Sequence, residues 1–143
     1  MAHRILPLLI ALAACQTPHP ERDEVVAVCT RFLDDVSQRR WPQANAAIAD
    51  GAVSVHEVDK VRIQPMRSFM AGLMAFVDAD PEYREWIEGT PTVLLAGNHA
   101  TVWADFRVTY KGGKGSGLDA FHLVRIDGKW QIVALCDVFR PDR

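Results

Sequence analysis

Histidine is the side chain that gains and loses a proton closest to neutral pH, so His19, His56, His99 and His122 are the first places to look for acid–base or metal chemistry. His19, His99 and His122 show no spacing with one another or with the cysteines that matches a set of zinc ligands, so no structural or catalytic metal is expected. No Ser-His-Asp or Cys-His arrangement for nucleophilic attack is legible. Cys29 falls within an apolar stripe, where a thiol is inert. Residues 111–117 (KGGKGSG) have the composition of a phosphate cradle but lack its strand-to-helix setting and spacing, so a mobile hairpin loop is expected there. No cofactor is implied. His99 beside a turn and His19 in a proline-rich segment are expected in solvent.

The elements that must position any such chemistry change character midway along the chain. Val25, Val28, Cys29, Phe32 and Val36 recur at helical spacing, which predicts a first helix beginning near residues 21–24, its acidic start suited to the positive end of the helix dipole. Asp34, Asp35, Arg39 and Arg40 would then lie toward water. Trp41-Pro42 opens a second helix that buries Ala44, Ala47 and Ile48 and ends at Asp50-Gly51. Residues 52–58 read as a short strand. A third helix is predicted over residues 65–77, with Met66, Phe69, Met70, Leu73 and Phe76 inward.

From Tyr83 onward the pattern is strands and turns. Strands are predicted at 83–88, 91–96, 101–110, 118–126 and 130–139, with turn signals at Gly97-Asn98, residues 111–117 and Asp127-Gly128. The strand 101–110 is the most legible. Val102, Ala104, Phe106, Val108 and Tyr110 share one face, which belongs to a core. Trp103, Asp105 and Arg107 share the other, suited to solvent or to a homodimer contact. Helices first and an antiparallel meander afterwards make an α+β layout.

Composition limits the partners. Hydrophobic residues make up 49% and charged residues 24% of the 143, which suits a single globular domain with a proper core. The net charge is −2 and no block of Lys or Arg forms a basic stripe, which argues against a nucleic-acid partner.

The start of the chain carries the first resemblance. Residues 5–14 form an apolar run behind Arg4, closing in Leu12-Ala13-Ala14-Cys15. This is similar to the lipobox of a bacterial lipoprotein, which implies cleavage before Cys15 and acylation of its thiol and new amino terminus. The run is too short to span a bilayer of roughly 30 Å at about 1.5 Å per residue, so it reads as a signal peptide. The division expected is a signal peptide at 1–14, a lipidated cysteine and flexible tether at 15–23, and the folded domain at 24–143. Gln16 stands where an aspartate would retain such a protein at the inner membrane, so the resemblance implies outer-membrane delivery with the domain in the periplasm. The membrane then becomes a partner through lipid on Cys15, and two or more acyl chains anchor stably. Cys29 and Cys136 remain, and they either form a disulfide in that oxidising compartment or stay as two separate buried thiols.

The second resemblance covers nearly all of the rest. The opening helix with Arg31-Phe32, the segment WPQANAAIADGAVSVHEV and the closing strands GLDAFHLVRIDGKWQIVALCDVF resemble the nuclear transport factor 2-like superfamily, with its SnoaL-like and ketosteroid isomerase-like branches. The resemblance implies a cone in which a strongly curved, mostly antiparallel sheet wraps three helices around an apolar cavity. Compared with the isomerase branch, Phe32 stands where a tyrosine donates to the oxyanion, His56 (or Glu57, one register on) stands at the proton-abstracting position, and Asp119 stands at the second, protonated donor. Phe32 has no hydroxyl, and loss of one oxyanion donor costs on the order of 10²–10³ in rate, so steroid isomerisation is not expected.

His56 and Asp119 are therefore the candidate catalytic groups, either as a base with Asp119 orienting the imidazole or with Asp119 protonated as a donor. The cavity is expected to be lined by Phe32, His56, Phe106, Tyr110, Asp119 and Phe121. Asp137, near the end of a strand apolar on both faces, has no readable register. Three readings follow: a lipid-anchored, non-catalytic domain that binds a small apolar ligand or a partner protein; a SnoaL-like or isomerase-like acid–base enzyme; or a dimeric scaffold with a filled interior.

Overall fold

The computed structural model describes residues 20–142; the apolar run at 5–14, Cys15 and His19 lie outside the described residues. Helix α1 (Pro20–Ser37) starts inside the segment expected to be tether. Pro20 sits in the first turn, where its missing N–H is no loss, and Glu21 and Asp23 face the positive dipole end. Arg125 pairs with Glu21 at 3.1 Å and Glu24 at 3.2 Å, and Arg22 donates to the Pro91 carbonyl, so this turn is docked on the body of the domain. Helix α2 (Trp41–Ala46) is shorter than expected. The sheet takes Ile48 onward, because the Ile132 N–H donates to the Ala47 carbonyl at 2.8 Å, and Asp50-Gly51 becomes a strand irregularity with Gly51 at φ 78°.

Strand β1 (Ile48–Glu57) turns back into β2 (Val61–Pro65), a hairpin absent from the sequence reading. Helix α3 (Met66–Asp78) follows, as expected. Arg39, expected toward water, instead adopts φ 60° at the end of α1 and donates to the carbonyls of Ser37, Val77 and Asp80, tying the C-terminal ends of α1 and α3 together.

Strand β3 (Arg84–Ala96) is one strand where two were expected, kinked between Glu88 and Thr92 at Gly89, whose φ is 71°. It is followed by β4 (His99–Tyr110), β5 (Gly113–Ile126) and β6 (Lys129–Pro141). The six-stranded sheet runs β2-β1-β6-β5-β4-β3, all pairs antiparallel except β1 with β6. It is the expected curved α+β layer. Val25, Cys29, Phe32 and Val36 of α1 share one core with Val102, Phe121, Leu123 and Ile132 of the sheet.

The glycine-rich run is not a loop. Only Lys111-Gly112 turn; Gly113 to Gly117 pair with β4, and Gly115 to Gly117 pair with β6 as well. The reason is close approach: a Cβ on Gly117 would land on the Val138 carbonyl and the Phe106 ring, and one on Gly115 on the Phe139 ring. Cys29 and Cys136 are not bonded to each other. Cys29 lies in the core beneath the sheet, whereas Cys136 alternates with the inward Leu135 and Asp137 and so belongs to the outer face.

Candidate functional site

Between the concave face of the sheet and helices α1 and α3 lies a cavity of about 630 Å³. Its walls are mostly apolar. Of the expected lining residues, Phe32, His56, Phe106, Tyr110 and Asp119 are there. Phe121 is not: it is fully buried in the core behind them, its ring edge-on to Phe32 at 6.2 Å. Phe69, Leu73 and Phe76 reach the cavity from α3, and Phe76 is half exposed where a buried position was expected.

The polar groups form a row across three neighbouring strands. His56 on β1 alternates with buried Ala52 and Ser54, which turns it inward and leaves Glu57 outside. Its parallel neighbour on β6 is Asp137, and the Nδ1–H of His56 donates to Asp137 Oδ2. The imidazole is therefore oriented by Asp137 rather than by Asp119, with Nε2 as its free ring nitrogen. Asp137 is in turn the direct cross-strand partner of Asp119 on β5. Asp119 is 2% exposed, and its Oδ2 has no hydrogen-bond partner; Asp137 Oδ1 has none either.

Two further polar residues reach the same hollow from the start of β3. The Tyr83 hydroxyl donates to Glu85 Oε2, and both side chains line the cavity. Glu85 is held there by Ser37 at the end of α1, whose hydroxyl donates to the Glu85 carbonyl at 3.2 Å and accepts from its N–H at 2.9 Å.

Crowding three carboxyls away from water favours their protonated forms. Burial, then the charges of Glu85 and Asp137, push Asp119 well above the usual carboxylate range. Burial lifts Glu85 to about 7, with the Tyr83 hydrogen bond working against it and Asp137 adding to it. Asp137 is raised by burial despite the opposing pull of His56. Burial also raises Tyr83, which keeps its hydroxyl a donor. The site can thus present one neutral acid (Asp119) and one group poised near neutrality (Glu85) beside the His56 ring. Cys29, behind Asp119, is pushed up by burial and then by the Asp119 charge, as befits an unreactive core thiol. Among the described residues no group of three or more His, Cys, Asp and Glu side chains is disposed to hold a metal ion.

Glu85 and Tyr83 escape the sequence reading, and Asp137 has no readable register in it, for traceable reasons. In β6 the register shifts: His122 pairs with Ala134 but Leu123 with Ile132, leaving Val133 as an extra residue. Trp130 and Ile132 face inward before it, and Leu135, Asp137 and Phe139 after it, so simple alternation fails at this strand. Tyr83 and Glu85 share parity with Ile87, a signal that was available, but the stretch is too short to announce its face. On the outer face Trp103 is 45% exposed, and Arg107 pairs with Glu88 at 2.9 Å. His99 is exposed, and His122 is exposed opposite Asp119, bonded to Thr101.

No family model and no curated protein matches the chain. Solved structures do. An NTF2-like protein of unknown function from Pseudomonas putida is similar over 83% of this chain and 86% of its own, at 18% identity and a TM-score of 0.70. A second, from Shewanella baltica, covers 86% and 96% at 19% identity and 0.64. A protein of unknown function with a cystatin-like fold, from Nostoc punctiforme, covers 87% and 95% at 15% identity and 0.72. At these identities the likeness concerns architecture: the chain has the nuclear transport factor 2-like cone fold.

Proposed function

We propose that this domain binds a small, largely apolar molecule in its cavity, in the periplasm, while tethered to the outer membrane through lipid on Cys15. The observation that carries the reading is the hollow itself. About 630 Å³, with aromatic walls and one convergent polar patch, is the size and make-up of a small-molecule site. A scaffold with a filled interior would not keep such a space. The lipid tether rests on Leu12-Ala13-Ala14-Cys15 alone.

Gly72 provides the test. It lies on α3 at the cavity wall, and a Cβ there meets no atom within 4 Å. Gly72→Trp should plug the space with little cost in stability and lower the affinity for an apolar fluorescent dye at least about tenfold, the scale of 1.4 kcal/mol of lost contact. Native mass spectrometry of gently extracted protein should show a bound small molecule that the variant lacks. Undiminished dye binding by Gly72→Trp would remove the cavity from consideration. Cys15→Ala should leave the membrane fraction; unchanged fractionation would defeat the tether.

The contact between His56 and Asp137 favours a second reading, acid–base catalysis. His56 Nε2 would take a proton from carbon, Asp137 would hold the tautomer, and neutral Asp119 would donate to the developing oxyanion. Phe32 supplies no hydroxyl to that oxyanion, which keeps this reading second. Deuterium exchange α to the carbonyl of a cyclic ketone, lost in His56→Ala, is its signature. Self-association through the face of Trp103, Asp105 and Arg107 is part of the same proposal, and Trp103→Lys should then reduce the mass seen by light scattering.

A further inference from the structure

Resting on the cavity-binding reading, we infer that the ligand is an organic cation, a protonated or quaternary amine on an apolar body, whose charged nitrogen sits beside Glu85, Asp119 and Asp137. Three strands bring these carboxyls to one hollow, and Asp119 lies directly across from Asp137 in register. Asp119 is almost fully buried with Oδ2 unpartnered, and the buried Asp137 Oδ1 is unpartnered too, so two cavity-lining carboxyls each keep an oxygen without a donor.

The basic groups nearby do not answer them. The titratable and charged side chains facing the site are His56 from β1, Arg62 from β2, Tyr83 and Glu85 at the start of β3, Tyr110 from β4, Asp119 from β5 and Asp137 from β6. His56 answers Asp137 alone. The Arg62 side chain is 58% exposed and lies 3.7 Å from Asp59. Helix α1 contributes Phe32, Leu33 and Val36, and α3 contributes Ser68, Phe69 and Leu73; neither brings a charge, and the Cys29 thiol behind Asp119 stays protonated. An anionic ligand would meet this cluster unfavourably, and a neutral one would offer the carboxyls no countercharge.

The walls suit the rest of such a molecule. Phe32, Phe69, Phe106, Tyr110 and Phe139 surround the cavity, and aromatic faces attract ammonium and quaternary nitrogen through their ring quadrupoles. In the empty site burial favours the protons on Asp119 and Glu85. An incoming cation must displace at least one of them, so binding releases a proton and strengthens as pH rises through the titration of Glu85 near 7.

The test uses the full chain and competition against the uncharged dye Nile red. Benzyltrimethylammonium, its neutral isostere neopentylbenzene and the anion phenylacetate are compared at pH 6 and pH 8. The cation should bind at least about tenfold more tightly than the isostere at pH 8 and lose most of that margin at pH 6, a tenfold step corresponding to one pKa unit. A pH-stat should record proton release on its binding. Glu85→Gln should weaken the cation and flatten its pH dependence while leaving the isostere within about twofold; Asp119→Asn should act in the same direction, and Glu85→Gln suffices if that variant does not fold. An isostere or an anion that binds as tightly as the cation at pH 8, or a cation that does not bind, overturns the inference. Nile red still entering the cavity then leaves the binding reading standing, and its exclusion overturns both.

Discussion

Replacing Glu85 with Gln removes one of three crowded carboxyls while keeping an oxygen that can accept from Tyr83, so the variant isolates the charge. In the folded protein Glu85 titrates at about 7, against 4.5 for the free side chain. Its folded form therefore holds the proton more tightly than its unfolded form. The sign follows: Glu85 opposes folding as pH rises, with the loss beginning near 4.5 and complete once pH exceeds about 7. Integrating that difference between pH 5 and pH 8 gives roughly 2–3 kcal/mol of stability lost to this one group. Urea unfolding followed by tryptophan fluorescence at the two pH values measures it. The wild type should lose roughly 2–3 kcal/mol more than Glu85→Gln over the interval, and the variant should be the more stable protein at pH 8. What decline remains in the variant belongs to Asp119 and Asp137, which are shifted in the same direction. Identical losses in both proteins would show that Glu85 is not shielded from water and would undo the electrostatic description of the site.

Three other perturbations address the frame. Phe32→Ala empties the space between α1 and Phe121 and should destabilise by about 3–5 kcal/mol in chemical denaturation; a loss under about 1 kcal/mol would mean the ring is not packed as described. Gly117→Ala forces a methyl onto the Val138 carbonyl and Phe106, which should lower stability by about 1–3 kcal/mol, and a neutral result would contradict the close β5–β6 approach. Alkylation without reductant, read by mass mapping, should label both Cys29 and Cys136 after unfolding and spare Cys29 in the native protein, whereas a protected pair in urea would reveal a disulfide.

Much of the frame was legible because its signals are periodic. The stripe from Val25 to Val36, the third helix and the alternation of β4 all rest on burial patterns that repeat several times. The losses fall where tertiary contacts override local preference. Asp50-Gly51 reads as a helix stop, yet pairing with β6 draws that segment into the sheet. KGGKGSG reads as a loop, yet its glycines are where two neighbouring strands come too close for side chains. The site was half legible for the same reason. His56 and Asp119 stand where alternation puts them, but the partner of His56 depends on the extra residue at Val133, which only the paired strands disclose.

The hydrogen bond between His56 and Asp137 spans 81 residues and joins the second-layer start of the sheet to its final strand through the single parallel pairing. A nascent chain therefore has no finished pocket until its last segment is free to dock between β1 and β5. Such long-separation pairing is the slow kind to form. Chains cut short before β6 would lack Asp137, and with it the imidazole's partner and the strand that joins β1 to β5.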